Sequence, residues 1–304
     1  MNFTFTVPVW GDWHLFQYLK TVLASHAAAE LEGHYIVHTT SLGHRMLKGK
    51  VEHELPGCSV EYIEVEPKGT YFDFSDYHQE AFDGSEACIF LQADAVISSS
   101  TFQAIRRAVG AGAKHINCAG INAVEDGSRV PFDSNLNAWA VKNLIPTLKN
   151  NVWTGEGKDG ENMMSPQTMY FRDGENFWCH AFHHDPICMV NDGRGVNFKG
   201  STLDWITPSF FTPGETAVLS GHEALVVEMS PAVKFDRHPR FNTVNATELA
   251  LGVRDKVLPS HMNLFSYPVP ILGEPTKKFD QLIQDVLALV YDAEFYGDGK
   301  RMAA

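Results

Sequence analysis

The sequence predicts an α/β fold, a three-layer arrangement around a mostly parallel sheet with an elaborated C-terminal half. Three observations carry this expectation. β-branched and aromatic runs alternate with helical patterns over about the first 120 residues, as in βαβ units. Gly and other turn residues punctuate that alternation. After Trp153 the helical periodicity fades, returning in one amphipathic stretch near the end.

In order, FTFTVPVW (3–10) reads as a strand stopped by Gly11. Residues 13–29 place Leu15, Phe16, Leu19, Val22 and Leu23 at helical spacing and end near Gly33. HYIVHTT (34–40) and SVEYIEVE (59–66) are the next strands, and residues 77–87 a short helix leading into CIFLQ (88–92). A helix over 100–109 is closed by Gly110 and Gly112, and KHINCAG (114–120) is a further buried strand. The Gly-rich segment TGEGKDGENMMSPQ reads as an exposed loop, and residues 154–162 within it suit a lid over a bound ligand. ETAVLSG (215–221) and ALVVEMS (224–230) are strands. Phe279, Leu282, Ile283, Val286, Leu287 and Val290 share one face of a helix over 276–296, which packs either in its own core or across a homodimer. The expected organisation is one domain over 1–275, with a first half 1–122 and a second half 123–275, followed by the amphipathic helix and tail at 276–304.

Composition narrows the function. With 304 residues the chain is long enough for a sizeable core, and 44% hydrophobic with 20% charged residues is ordinary for a globular protein. A formal net charge of -13 argues against binding duplex nucleic acid, which needs clustered Lys and Arg, but leaves room for a nucleotide carrying its own cation. Five cysteines without a CxxC pair fit reduced, mostly buried thiols in a cytoplasm. The N-terminus lacks the pattern of a signal peptide, and no apolar run is long enough for a transmembrane segment.

Neither GxGxxG nor a Walker loop occurs, so a Rossmann dinucleotide site and a P-loop are both unsupported. In an α/β sheet, ligands bind beyond the carboxyl ends of the strands. That rule places Val9, Trp10, Gly11 and Asp12 at a ligand edge, where an indole either stacks on a base or packs the joint between sheet and helix. The same rule acts on IFLQADAVISSS (89–100), in which Asp94 ends an apolar run. A buried carboxylate needs a partner. Here it suits Mg2+ or Mn2+ bridging a diphosphate. Helix capping is the alternative, but Ser99 and Ser100 already serve a helix starting near Thr101.

Further along, HAFHHDP contains His180, His183, His184 and Asp185, all of ligand type for a metal. On a strand His180 and His184 share a face. The equal alternative is a set of hydrogen-bonded structural histidines, and no HExxH motif accompanies them. Asp204, in STLDWITPSFF, sits among apolar side chains that raise a carboxyl pKa, as a general base requires. Glu223 is a second candidate base and Glu228 a competing carboxylate, each adjoining an apolar strand.

FTVPVWG, the following helix, YIVHTT and the IFLQADAVIS junction together resemble bacterial GT-A-type nucleotide-sugar glycosyltransferases, mainly over residues 1–120. The resemblance implies a GT-A-like sandwich whose first half binds the nucleotide. It also implies transfer of a sugar from a nucleotide-sugar donor to a glycan or small-molecule acceptor, as in polysaccharide synthesis. By resemblance Pro8, Val9, Trp10 and Gly11 contact the nucleotide, and Asp94 holds a divalent metal, Mn2+ or Mg2+, with the diphosphate. His180 and His183 are implied as further metal or diphosphate ligands, and Asp204 or Glu223 as the catalytic base. The family's acidic motif is represented here by Gln92-Ala93-Asp94, which keeps only its final acid. Two rival readings are a metal-dependent hydrolase built on residues 180–185 and a non-catalytic nucleotide-binding protein of the same fold.

Overall fold

A strand covered on both faces must be apolar or β-branched throughout, and FTFTVPV meets that requirement. In the computed structural model these residues form β1 (Phe3–Val9), buried along its whole length. The structure describes residues 1–67, 73–124, 127–144, 151–154, 168–181, 185–201, 203, 207–229, 246–247, 250 and 264–291. The chain divides into two compact units, Met1–Leu144 with His184–Ala232, and Ile145–His183 with Val233–Ala304.

The first unit is an α/β unit built on a large, mostly parallel sheet. β1 is flanked in parallel by β2 (Gly33–Thr39) and β4 (Ala87–Phe90), and β2 by β3 (Cys58–Glu64). β10 (Asp185–Val190) runs antiparallel between β4 and β6 (His115–Ala123). The first half of β6 pairs in parallel with β11 (Thr216–Leu219) and its second half with β12 (Leu225–Met229). β5 (Ala95–Ile97) is antiparallel to β12. Nine strands result, in the order β3-β2-β1-β4-β10-β6-β12-β5 with β11 beside β6.

Helices accompany this sheet, two of them over the stretches the sequence predicts, 13–29 and 100–109. The helical run after β1 comprises α1 (Asp12–Gln17), a π-helical turn at Tyr18–Val22 and α2 (Leu23–Ala28). Its buried side carries Leu15, Tyr18, Val22 and Leu23. Tyr35 on β2 joins it through its hydroxyl, 2.9 Å from that of Tyr18 and 2.8 Å from Nδ1 of His26. Between β2 and β3 lie α3 (Ser41–Leu47) and α4 (Lys50–Glu54). The helix expected at 77–87 is observed earlier as α5 (Asp73–Asp83), because Gly84 and Ser85 close it, with the Ser85 amide donating to the Phe82 carbonyl at 3.1 Å. α6 (Thr101–Gly110) and α7 (Leu136–Lys142) complete the set used below.

At the amino edge of β6, Arg194 bridges Asp192 and Glu215 at 2.5 and 2.6 Å and lies over the Phe211 ring at 4.7 Å. Lys114 joins both acids at 2.7 and 3.3 Å. The guanidinium holds both carboxyls well below the usual carboxylate range.

α3 presses closely on the end of β2. A Cβ added at Gly43 would lie 2.0 Å from Oγ1 of Thr39, the hydroxyl that donates to the Val9 carbonyl. Gly43→Ala is therefore expected to cost about 1–3 kcal/mol, read as a lower urea midpoint. Gly110→Ala, with no atom within 4 Å of its added Cβ, should be near neutral.

In the second unit β13 (Val269–Leu272), β9 (Asn176–Ala181), β8 (Thr168–Asp173) and β7 (Asn151–Thr154) form a four-stranded sheet in that order. The expected C-terminal amphipathic helix is observed as α8 (Asp280–Tyr291), after a 3₁₀ turn at Lys277–Phe279. Its Ile283, Val286 and Val290 pack with Phe171, Trp178, Phe265 and Phe279, so its apolar face is covered within its own unit. All five cysteines are free and four are buried. No helix among the described residues is long and apolar enough to cross a membrane.

Candidate functional site

Because β10 is antiparallel to both β4 and β6, the strands β1, β2, β4, β6 and β12 all point the same way, and their carboxyl ends share one edge. Two chain segments meet there. The first is the exit from β1. Gly11 has φ 79° and ψ 144°, in the positive-φ region open to glycine, and caps the helix without a side chain. Its carbonyl accepts from the Leu15 amide at 2.9 Å, and the first helical turn carries Asp12, Trp13 and His14.

The second segment is the turn after β4. The Leu91 amide still pairs with the Thr6 carbonyl at 2.9 Å, after which Gln92, Ala93 and Asp94 reverse the chain into β5. The Asp94 carbonyl is held by the Met229 amide at 2.6 Å, at the carboxyl end of β12. Its carboxylate, 17% exposed, has Oδ2 3.6 Å from Nε2 of His14. Sequence reading missed His14. Its only signal was a position three residues past Gly11, and its meeting with Asp94 depends on strand order. Asp94 is not a helix cap, since α6 begins at Thr101 with Ser100 at its N-cap; the expected serine cap is not observed, because Oγ of Ser100 donates instead to the Glu223 carbonyl at 2.7 Å.

Below the exit of β1 lies an aromatic floor. The half-buried Trp10 stacks on Phe74 at 4.7 Å and meets Tyr77 edge-on at 5.8 Å. Tyr77 stacks in turn on His38, at 5.2 Å. His38 is fully buried, neither ring nitrogen has a hydrogen-bond partner, and burial pushes its pKa down to about 4. Next to this floor, Nδ1 of His78 lies 3.3 Å from Oγ1 of Thr6, and burial lowers its pKa to about 3.

The expected site residues separate by position. Pro8 and Val9 end β1 inside the sheet, and Trp10, Gly11 and Asp94 lie at the carboxyl edge. Glu223 does not. It precedes β12, whose first residue Leu225 pairs with Ala119 midway along β6, and so lies a strand length of about 13 Å from the end of β12 that meets Asp94. There its carboxylate accepts from the Ser220 amide and hydroxyl at 3.1 and 3.0 Å, as a turn cap. The carboxylate that β12 brings to the ligand edge is Glu228, half-buried and paired in register with Ala95 and Asn122. His180 belongs to the second unit and is 3% exposed. Its Nδ1 is 2.7 Å from the Phe265 carbonyl, its ring stands edge-on to Phe171 at 5.5 Å, and burial lowers its pKa to about 4. His183, His184, Asp204 and the loop 155–167 lie outside the described residues.

Among the described residues no set of three or more His, Cys, Asp or Glu could hold a metal ion on protein ligands alone. Mg2+ and similar ions, however, are commonly held by one or two carboxylates together with substrate phosphates. Asp94 fits an ion that arrives with a diphosphate, not a preformed protein cage.

No protein-family profile and no curated protein sequence matches the chain. Among solved structures, the chain is similar to S. aureus TarS 1-349, with TM-score 0.45, 13% identity and coverage of 94% of this chain and 71% of that one. The same protein in complex with UDP gives TM-score 0.39 at 13% identity and the same coverage. The mannosyltransferase PcManGT from Pyrobaculum calidifontis, in complex with GDP-Man and Mn2+, gives TM-score 0.41 and 11% identity, over 93% of this chain and 68% of that one.

Proposed function

We propose that the carboxyl edge of the first unit binds a nucleotide-sugar and that the chain is a glycosyltransferase. The observation that supports this reading best is Asp94, a mostly buried acid in the turn that follows a parallel strand, 3.6 Å from His14 in the helical turn after β1. The resemblance of residues 1–120 to GT-A-type enzymes agrees with it.

In this reading the aromatic floor of Trp10 and Tyr77 lies at the base end of the donor. The amino end of the helix after Gly11 and the His14 imidazole face the diphosphate, whose charge suits a helix N-terminus. Asp94 would hold Mn2+ or Mg2+ against the diphosphate, and such an ion offsets the charge that grows on the leaving group. Transfer forms a bond from an acceptor hydroxyl oxygen to the anomeric carbon and breaks that carbon's bond to the diphosphate. The hydroxyl proton passes to a carboxylate, either Glu228, which stands at that edge among the described residues, or Asp204, which lies outside them. The acceptor is proposed only as a glycan or small molecule.

Thermal unfolding with UDP-, GDP-, CMP- and dTDP-sugars, with and without Mn2+, tests the reading. One nucleotide class is expected to raise the midpoint by roughly 5–10 °C at a hundredfold excess over its Kd, and more with Mn2+ than without. No shift with any donor overturns it.

A further inference from the structure

His14 and Asp94 approach each other at the carboxyl edge without a hydrogen bond. Nε2 of His14 lies 3.6 Å from Oδ2 of Asp94, which is beyond hydrogen-bond reach. Among the described residues no donor hydrogen-bonds that carboxylate. It is nevertheless mostly buried, and a carboxylate taken out of water needs a donor or a cation.

The imidazole is aimed at the same point. Its ring stands edge-on to Trp13, with centroids 4.9 Å apart. Nδ1 lies 3.8 Å from the position of a Cβ built on Gly11, so it faces the exit of β1 while Nε2 faces Asp94. Backbone bonds fix both segments, from the Leu15 amide to the Gly11 carbonyl and from the Met229 amide to the Asp94 carbonyl. Two atoms bound to one ion at about 2.1 Å stand about 3.0 Å apart at a right angle and about 3.4 Å apart at the tetrahedral angle. The observed separation exceeds that by a few tenths of an ångström, which a small turn of the part-exposed imidazole closes.

We propose that Nε2 of His14 and the Asp94 carboxylate together ligate the divalent ion that arrives with the donor's diphosphate. The inference rests on the donor site assigned above and adds to it a second protein ligand and a class of metal. The nitrogen decides the class. Mg2+ is held by oxygen ligands in strict octahedral geometry, whereas imidazole suits first-row transition ions. A site with one nitrogen and one carboxylate therefore takes Mn2+ in preference to Mg2+, and Co2+ more tightly than Mn2+. The diphosphate and water complete the coordination, which is why two protein ligands suffice.

Pulsed EPR of Mn2+ bound to the full chain, with whichever of UDP, GDP, CMP and dTDP binds, tests it. The expected result is a coupling of the ion to an imidazole nitrogen that is absent in His14→Ala. Titration of Mn2+ should show an affinity at least about tenfold lower in His14→Ala, with an unchanged urea midpoint because the side chain is part-exposed. His14→Lys separates a ligand from a charge, since an ammonium suits a phosphate but has no lone pair for a metal. It should lose as much Mn2+ affinity as His14→Ala. Nucleotide and Mn2+ bound without nitrogen coupling, or Mn2+ affinity kept by His14→Lys, overturns the inference and leaves the donor site standing. Binding of none of the four nucleotides overturns both.

Discussion

Alanine in place of Asp94 is expected to lower kcat/KM for sugar transfer by about 10²- to 10³-fold while leaving the fold intact. The size follows from the several kcal/mol that a metal-assisted diphosphate departure draws from charge stabilisation. The fold should survive because the turn is held by backbone. The Met229 amide donates to the Asp94 carbonyl, and the Ala95 amide lies 3.4 Å from the Gln92 carbonyl. The carboxylate contributes only its 3.6 Å approach to His14, a partly exposed pair of small energetic weight. His14→Ala should therefore have the smaller effect, about tenfold. Glu228→Gln should keep donor binding and lower kcat, since a proton acceptor acts after the donor is seated. An Asp94→Ala protein with full transfer sinks this assignment.

Lowering the pH from 7 to 4 is expected to unfold the first unit, through three of its buried histidines. Burial lowers His26 to about 3, His38 to about 4 and His78 to about 3, and the charge of His38 lowers His78 further. In the unfolded chain each titrates near 6.5. As the pH falls through 6.5 the unfolded chain takes up a proton at each site. The folded chain takes up none until about 4 or 3. Stability is therefore fully present above 6.5 and lost on acidification, by up to about 4 kcal/mol per pH unit for three sites. One to two pH units of that slope match the whole stability of an ordinary domain. The folded chain resists protonation because Nε2 of His26 and both nitrogens of His38 lack any hydrogen-bond partner to share the added charge. At still lower pH, loss of the Asp192 and Glu215 charges acts in the same direction, since Arg194 then loses its partners. Urea midpoints at pH 7, 6 and 5 read the slope, and His78→Phe should flatten it by about a third. A midpoint constant from pH 7 to 5 contradicts this account.

Much of the first unit was legible because its elements carry both a period and a stop. β1 is an unbroken β-forming run closed by Gly11, and α6 has its serines before it and glycines at its end. Asp94 was legible for the same reason, as an acid ending an apolar run. Strand partners were not. The antiparallel insertion of β10 and the three neighbours of β6 arise from contacts distant in sequence, which periodicity does not record. That gap left the position of Glu223 open. Glu223 and Glu228 flank the same apolar run, and only the direction of β12 decides which one reaches the ligand edge. At His180 the sequence left two readings open, because a histidine-rich stretch has one composition whether its rings bind a metal or, as Nδ1 of His180 does, a backbone carbonyl.

Isothermal titration of UDP, GDP, CMP and dTDP, each with Mn2+, into the wild-type, Asp94→Ala and Glu223→Ala proteins tests the placement of the donor site most directly. The expected result is binding of one nucleotide to the wild type, lost or weakened at least tenfold in Asp94→Ala and unchanged in Glu223→Ala. Binding of none of the four, or equal binding to the wild-type and Asp94→Ala proteins, would contradict it.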